Sequence, residues 1–256
     1  TNRGDLTVEL EAIVLAGRAN DGKLAGESEE PLEANIDIAG RPMVSYILDV
    51  LERMDQITKI HLIGPREGLS RYETGKVKIL PPGGDLFDNV KRGLDAVSSE
   101  YALVCASDVP LITSEIMERF LSRCVESGAD FCYPVCEKSQ CDKAFPGVKR
   151  TYLTIREGTF TGGNLFFVRK AAVSQAWPMV EKMISYRKSP LKMAAQLGPW
   201  LLLKVALKRA SVSELERRVE RLIHLKPKAL LGADPEIGVD VDKPSDLELC
   251  RRILGK

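Results

Sequence analysis

The run LEAIVLAG, Leu10 to Gly17, decides the fold. It is apolar almost throughout and closes on a small-residue turn, so it reads as a strand covered on both faces, as strands of parallel sheets are. YALVCAS (Tyr101–Ser107) repeats the pattern and is broken by Asp108, Val109 and Pro110. Between the two runs, Pro42 opens a helix over Met43–Met54 with Val44, Ile47, Leu48 and Leu51 on one face. Strands follow at KIHLIG (Lys59–Gly64) and KVKIL (Lys76–Leu80), and the turn PPGGD feeds a helix over Asp85–Val97. After the second buried run come a helix over Ser114–Ser127 and a strand over Ala129–Val135. This alternation predicts an α/β fold with a mostly parallel sheet between helical layers.

The rhythm then changes. Arg150–Val168 reads as two strands around Glu157–Gly158, and Lys170–Leu225 as helix interrupted near Pro190 and Gly198. A strand near Lys228–Leu231, the turn GVDVDKPSD and a helix over Ser245–Leu254 capped by Ser245 complete the chain. No repeat or low-complexity linker divides it. The expectation is a single domain over residues 1–256 with a helical excursion at about 182–225.

The formal net charge is +1, so no global field draws the chain to nucleic acid or to an anionic membrane, and any polyanion site must be local. Thr1–Glu11 lacks the pattern of a secretory leader, and the longest apolar run, Trp200–Leu203, cannot span a bilayer. A cytoplasmic location, with neither nucleic-acid nor membrane partner, is expected. Six cysteines include Cys132, Cys136 and Cys141, but C-x3-C-x4-C without a nearby His matches no common zinc pattern, which leaves reduced thiols.

Chemistry concentrates at strand ends. Open α/β sheets take ligands at the carboxyl ends of their strands, and Gly17 would let backbone approach one closely. Asp108, directly after a buried strand, suits a hard cation such as Mg²⁺ (or Mn²⁺), which accepts one or two carboxylates plus substrate phosphates. Asp240 and Asp242 lie two apart in an extended segment and share a side, where a cation would relieve their repulsion. Gly83 and Gly84 precede a helix, with Asp85 and Asn89 able to read polar edges or, for Asp85, to cap. Gly162 and Gly163 interrupt a strand as a bulge or a close ligand approach would, with Asn164 as an orienting group, while Lys149 and Arg150 could hold an acceptor phosphate. His61, inside a strand, and His224 read as packing or surface residues, and ELERRVERL as a solvated helix face.

AIVLAG, AGRPMVSYILDVL, GGDLFDNVKRGLDAV, ALVCASDVPLIT and GVDVDKPSDLELCRRIL stand in the order seen in the MobA-like nucleotidyltransferases, and the chain resembles that superfamily over nearly its whole length. It includes the molybdenum-cofactor nucleotidyltransferases and the methylerythritol-phosphate cytidylyltransferases. The resemblance implies a Rossmann-like, three-layer glycosyltransferase-A fold and transfer of NMP from an NTP, such as CTP or GTP, to a phosphate- or hydroxyl-bearing small molecule with release of pyrophosphate. A homodimer is compatible with it.

On this resemblance Leu15, Ala16, Gly17 and Arg18 would hold the nucleotide, with Gly83, Gly84, Asp85 and Asn89 by the base. Asp108 would be a catalytic metal ligand, with Asp242 and Asp240. Arg150, Gly162, Gly163 and Asn164 would face the acceptor. The first loop departs from the usual L-A-A/G-G-x-G-x-R-M-G followed by P-K: its Gly-x-Gly is absent, Lys23-Leu24 stands for Arg-Met, and Leu32-Glu33 for Pro-Lys. Glu33 would repel a triphosphate, so Arg18 and Lys23 are expected to supply the charge, Lys23 as a catalytic residue. A nucleotide-binding or regulatory module with weakened catalysis and a nucleotide-sugar-dependent glycosyltransferase are the alternatives.

Overall fold

A computed structural model describes residues 8–186, 195–196 and 198–256. The chain forms β1 (Leu10–Leu15), a short arm of β2 (Asp37–Ile38) and β3 (Arg41–Pro42), α1 (Met43–Arg53), β4 (Ile57–Ile63), α2 (Arg66–Leu69), β5 (Val77–Leu80), α3 (Leu86–Ala96), β6 (Tyr101–Ala106) and α4 (Ser114–Ser127). There follow β7 (Phe131–Glu137), α5 (Lys138–Ala144), β8 (Leu153–Ile155), β9 (Gly158–Gly162), β10 (Leu165–Arg169), α6 (Lys170–Gln175), α7 (Trp177–Ser185), α8 (Pro199–Ala206), α9 (Val212–Ile223), β11 (Pro227–Leu231) and α10 (Pro244–Leu254).

Among the described residues the main sheet has nine strands in the order β5-β4-β1-β6-β10-β7-β9-β8, with β11 beside β7. Only β10 and β9 run against the rest, so the sheet is mixed but mostly parallel, as the buried runs predicted. β1 shows why. Its residues are buried from Leu10 to Val14, and alternation sends Ala12 and Val14 into the layer formed with α1 and α4. Ile13 goes to the opposite layer with Leu94 and Val97 of the α3 region.

Local chemistry sets the boundaries. Thr113 caps α4 by accepting from Ile116 N, and Gly128 ends it in the left-handed region (φ 57°). β7 begins two residues later than the sequence suggests, because Asp130 N is bonded to Lys226 O. Arg150–Val168 holds three strands rather than two, since the chain bends at Asn164 and passes from one side of β7 to the other, β9 and β10 each pairing antiparallel to it. α10 starts at Pro244 behind an N-cap residue, Lys243, that makes no side-chain cap, so Ser245 is inside the helix and not its cap. In the helical stretch Gly198 precedes α8, whereas Pro190 lies outside the described residues.

One buried pair joins β1 to β4 within the sheet. Glu11 Oε2 lies 2.5 Å from His61 Nε2, and Glu11 Oε1 accepts from Ser98 N (2.9 Å), Ser99 N (3.1 Å) and the Ser98 hydroxyl. His61 is thus a buried pairing residue. A Glu inside an otherwise apolar strand was the sequence signal, because a buried carboxylate needs partners.

Candidate active site

The parallel strands end at one rim, and backbone bonds continue past them. Ala16 N donates to Ile63 O (2.8 Å) and Ser107 N to Leu15 O (3.1 Å). The next residue, Asp108, accepts from Val241 N through its carbonyl (2.9 Å). That single bond brings the C-terminal acidic segment to the end of β6. In this extended segment Val239 and Val241 are buried, whereas Asp240 is exposed and Asp242 half-buried.

Asp108 is the most perturbed carboxyl of the rim. One of its oxygens is enclosed and makes no hydrogen bond among the described residues. Burial first, and then the charge of Asp240, push its pKa up to about 7, with Arg18 opposing. The Asp240 carboxyl is also raised, chiefly by desolvation and then by Asp246 and Asp242, although the residue as a whole stands exposed. Asp242 is the opposite case. Lys23 Nζ lies 2.8 Å from its Oδ2 and Arg18 Nη1 3.0 Å from its Oδ1, and these bonds hold it below the usual carboxylate range.

Arg18 also meets Glu33, Nε to Oε2 at 3.2 Å. Burial raises the Glu33 carboxyl, with Arg18 opposing. Burial works against Arg18's charge, but the Asp242 hydrogen bond and the charges of Glu33, Asp242 and Asp108 leave its pKa raised. Glu33 is therefore not a free charge facing a triphosphate: its side chain is only 4% exposed and pairs with the arginine.

The long first loop is pinned. Glu33 N donates to Arg18 O (3.1 Å), Asn20 N to Pro31 O (2.8 Å), and the Asn20 amide to the carbonyls of Ser28 and Glu30. Leu24, fully buried, packs in the cluster that holds Ile36, Val239, Val241 and Leu247, which fixes Lys23 beside Asp242. Asp246, missed in the sequence, accepts from Asp242 N (3.3 Å) and steadies the acidic segment. Its signal was an acidic residue in the first turn of the last helix.

The glycine segments are built for packing as much as for ligand. A Cβ on Gly17 would stand 3.3 Å from Gly64 Cα and 3.7 Å from Pro82 Cβ, so the loops after β1, β4 and β5 converge there. Gly83 N donates to Asn89 Oδ1 (2.6 Å), Gly84 N to Asp88 Oδ2 (3.0 Å), and Asp85 caps α3 through Phe87 N and Asp88 N. Asp85 and Asn89 are therefore engaged with their own turn. Leu15 closes β1, with Ala16 buried behind it.

On the expected acceptor side, Asn164 donates to Ile237 O through both its backbone N (3.0 Å) and its side-chain amide (3.2 Å). Arg150 Nη1 donates to Gly238 O, while its Nε and Nη2 are enclosed and make no hydrogen bond among the described residues. Arg150 also opposes the rise in the pKa of Asp240. Gly162 and Gly163 are small because Tyr133 and Ile237 lie against them. A Cβ on Gly162 would overlap the Tyr133 hydroxyl, so Gly162→Ala is expected to cost about 1–3 kcal/mol in chemical denaturation, with Tyr133→Phe restoring part of it.

The residues present fit a divalent cation in one specific way. Among the described residues no cluster of three or more His, Cys, Asp or Glu side chains forms a ready-made cage. The enclosed, unpartnered oxygen of Asp108 with Asp240 beside it instead suits Mg²⁺ or Mn²⁺, which take their remaining ligands from substrate phosphates and water. The six cysteines are free and buried.

Comparison with known proteins gives a consistent picture. A hypothetical transferase from Thermus thermophilus superposes with a TM-score of 0.83 at 34% identity, over 94% of this chain and all of that one. The 4-diphosphocytidyl-2C-methyl-D-erythritol synthase of Anaerococcus prevotii shares the fold at a TM-score of 0.61 and 16% identity, over the whole of both chains. A probable molybdenum cofactor guanylyltransferase from Thermococcus gammatolerans is 24% identical over 132 residues, 50% of this chain and 66% of its own length. The 2-C-methyl-D-erythritol 4-phosphate cytidylyltransferase of Clostridium botulinum is 30% identical over 107 residues, 38% of this chain and 47% of its own. The match to the family itself covers residues 31–222 and stops short of Arg18, Lys23, Asp240 and Asp242, whose place at the rim rests on the geometry above. With most of its length matched to that family, the chain belongs to the MobA-like NTP transferase domain proteins.

Proposed function

We propose that the protein is a Mg²⁺-dependent nucleotidyltransferase that moves NMP from an NTP to a phosphate- or hydroxyl-bearing small molecule. The observation that carries the reading is the enclosed, unpartnered carboxylate oxygen of Asp108, set beside Asp240 at the rim where Arg18 and Lys23 gather. Asp108 and Asp240 would hold the cation, with Asp242 joining once its partners are drawn away. When bound, the cation would neutralise phosphate charge.

The chain's own residues do the rest. Arg18 and Lys23 turn from Asp242 to the triphosphate, which presents more negative charge than one carboxylate. Gly17, packed against Gly64 and Pro82, holds the loops after β1, β4 and β5 together at the rim where the nucleotide would lie. Arg150, whose enclosed Nε and Nη2 make no hydrogen bond among the described residues, would have to turn them outward to meet an acceptor phosphate. The acceptor oxygen attacks the α-phosphorus, forming a new P–O bond as the bond to pyrophosphate breaks, and positioning and charge neutralisation supply the acceleration.

The test is pyrophosphate release from each of the four NTPs across a panel of sugar phosphates, polyol phosphates and pterin-type acceptors. Release that needs one NTP and one acceptor supports the reading, and silence across the panel counts against it. A second reading, a nucleotide-binding module, is favoured by Glu33 standing where the resemblance expects Lys and by both loop cations pairing with Asp242. Calorimetric NTP binding without release selects it. UDP-sugars in the same panel test the glycosyltransferase alternative.

Two expectations follow for activity. Arg18→Ala should lower kcat/KM by about 10²-fold, through lost triphosphate contacts and a buried Glu33 left unpaired. The pKa of Asp108, near 7, gives the pH dependence: below it a proton competes for the cation, so the apparent Mg²⁺ affinity should fall by about tenfold per pH unit below 7 and level off above it. An affinity flat from acid to neutral pH would remove Asp108 from the ligand set.

A further inference from the structure

The charge of this chain is unevenly placed. Residues 182–228 hold twelve Lys and Arg but only three Asp and Glu, a surplus of nine in a protein whose net charge is +1. Within that stretch α8 is apolar yet none of its residues is buried. Trp200 is 69% exposed, Leu203 49% and Leu207, just past the helix, 55%. Positions i, i+3 and i+7 make one outward stripe. Lys204 lies over the Trp200 ring at 5.9 Å, Lys208 and Arg209 follow Leu207 in exposed positions, and Arg217 and Arg221 on α9 line the same concavity as Trp200. Of the three acidic residues, Glu214 is held by Lys204 and Glu216 by Lys228, and Glu220 is exposed.

We propose that α8 and the basic rim around it form a docking surface for an anionic phospholipid bilayer. An aliphatic and tryptophan stripe enters the headgroup boundary while lysine and arginine meet lipid phosphates, the division of labour of an interfacial helix. A second copy of the chain fits less well. Two such faces would bring like charge against like charge, and three side chains bury far less than a stable dimer needs. Nucleic acid would use the cations but leaves Leu203 and Leu207 without a partner. This is a surface seat and not a span, since no helix among the described residues is long and apolar enough to cross a membrane. It does not depend on which acceptor the enzyme uses.

The experiment uses the full chain with Trp177→Phe, which leaves Trp200 as the only tryptophan. Vesicles of equimolar phosphatidylglycerol and phosphatidylcholine are compared with phosphatidylcholine alone, by co-sedimentation and by quenching of Trp200 with brominated acyl chains. Binding to the anionic vesicles with a blue-shifted, quenched Trp200 is expected. Lys208→Glu with Arg209→Glu should weaken it by about thirtyfold or more, and Leu203→Ser by about tenfold, with melting temperatures unchanged because these side chains are exposed. Three results would overturn the proposal: equal binding to neutral vesicles, sedimentation without quenching of Trp200, and self-association that Leu203→Ser abolishes while vesicles remain unbound.

Discussion

Asp108→Asn is expected to remove pyrophosphate release while raising the melting temperature at neutral pH. The activity loss should be about 10³-fold or more, because an amide cannot take the place of the carboxylate in holding a cation against the phosphates. The stability gain follows from the same geometry. Burial and the nearby Asp240 raise the Asp108 carboxyl from 3.8 to about 7, so the folded protein holds this proton more tightly than the unfolded chain does. Between those values the native state binds more protons, and stability falls as pH rises through the window from about 4 to about 7. The ceiling of the effect is about 4 kcal/mol, and a gain of about 2 kcal/mol is expected once the buried amide is allowed for. Thermal melts of both proteins at about pH 4 and about pH 8 check it. The variant's advantage should be present at the higher pH and vanish at the lower. A variant that melts earlier than the parent at neutral pH would mean that Asp108 is already satisfied in the empty protein.

Glu11→Ala should destabilise the fold by about 3–5 kcal/mol without a direct effect on the rim. The substitution strips His61 of its partner and leaves the amides of Ser98 and Ser99 without an acceptor, all in buried or partly buried surroundings. Burial opposes the Glu11 charge, but the Ser98 hydroxyl, His61 and the Ser98 amide outweigh it and bring the pKa down to about 2. Here the sign is reversed: the contribution is present above the unfolded value of 4.5 and is lost as pH falls toward 2. Glu11→Gln, which keeps the shape and one acceptor, should cost about half as much. Denaturant titration of the three proteins at neutral pH and at about pH 3 separates packing from charge. Equal stabilities at neutral pH would mean that the buried contacts of Glu11 contribute nothing to the fold.

The resemblance and the buried runs together made the layer architecture readable. LEAIVLAG and YALVCAS could only be strands with both faces covered, and Thr113 and Gly128 stop α4 where local chemistry says they should. α5 has no counterpart in the sequence reading, where Cys132, Cys136 and Cys141 were weighed for metal spacing. Asp108 was legible from its place after a buried strand. Its partners were less so. Asp240 could be seen to share a side with Asp242, but only the fold reveals that Val241 bonds to the Asp108 carbonyl. The pairing of Arg18 and Lys23 with Asp242 joins positions more than 200 residues apart, through a loop whose closure depends on Leu24 finding a core pocket. Glu33 read as a repulsive substitution because its burial against Arg18 has no local signature. Gly162 and Gly163 read as a bulge or a close ligand approach, and Tyr133 and Ile237 pack against them.

Asp108 and its acidic neighbours are expected to grip a divalent cation at the rim of the sheet. Mn²⁺ in place of Mg²⁺, titrated in the presence of an NTP and followed by electron paramagnetic resonance, tests it in the parent and in Asp108→Asn. The expected result is one bound ion that the nucleotide strengthens, that acid below about pH 7 weakens, and that the variant binds at least about tenfold less tightly. Identical Mn²⁺ binding by the two proteins would contradict it.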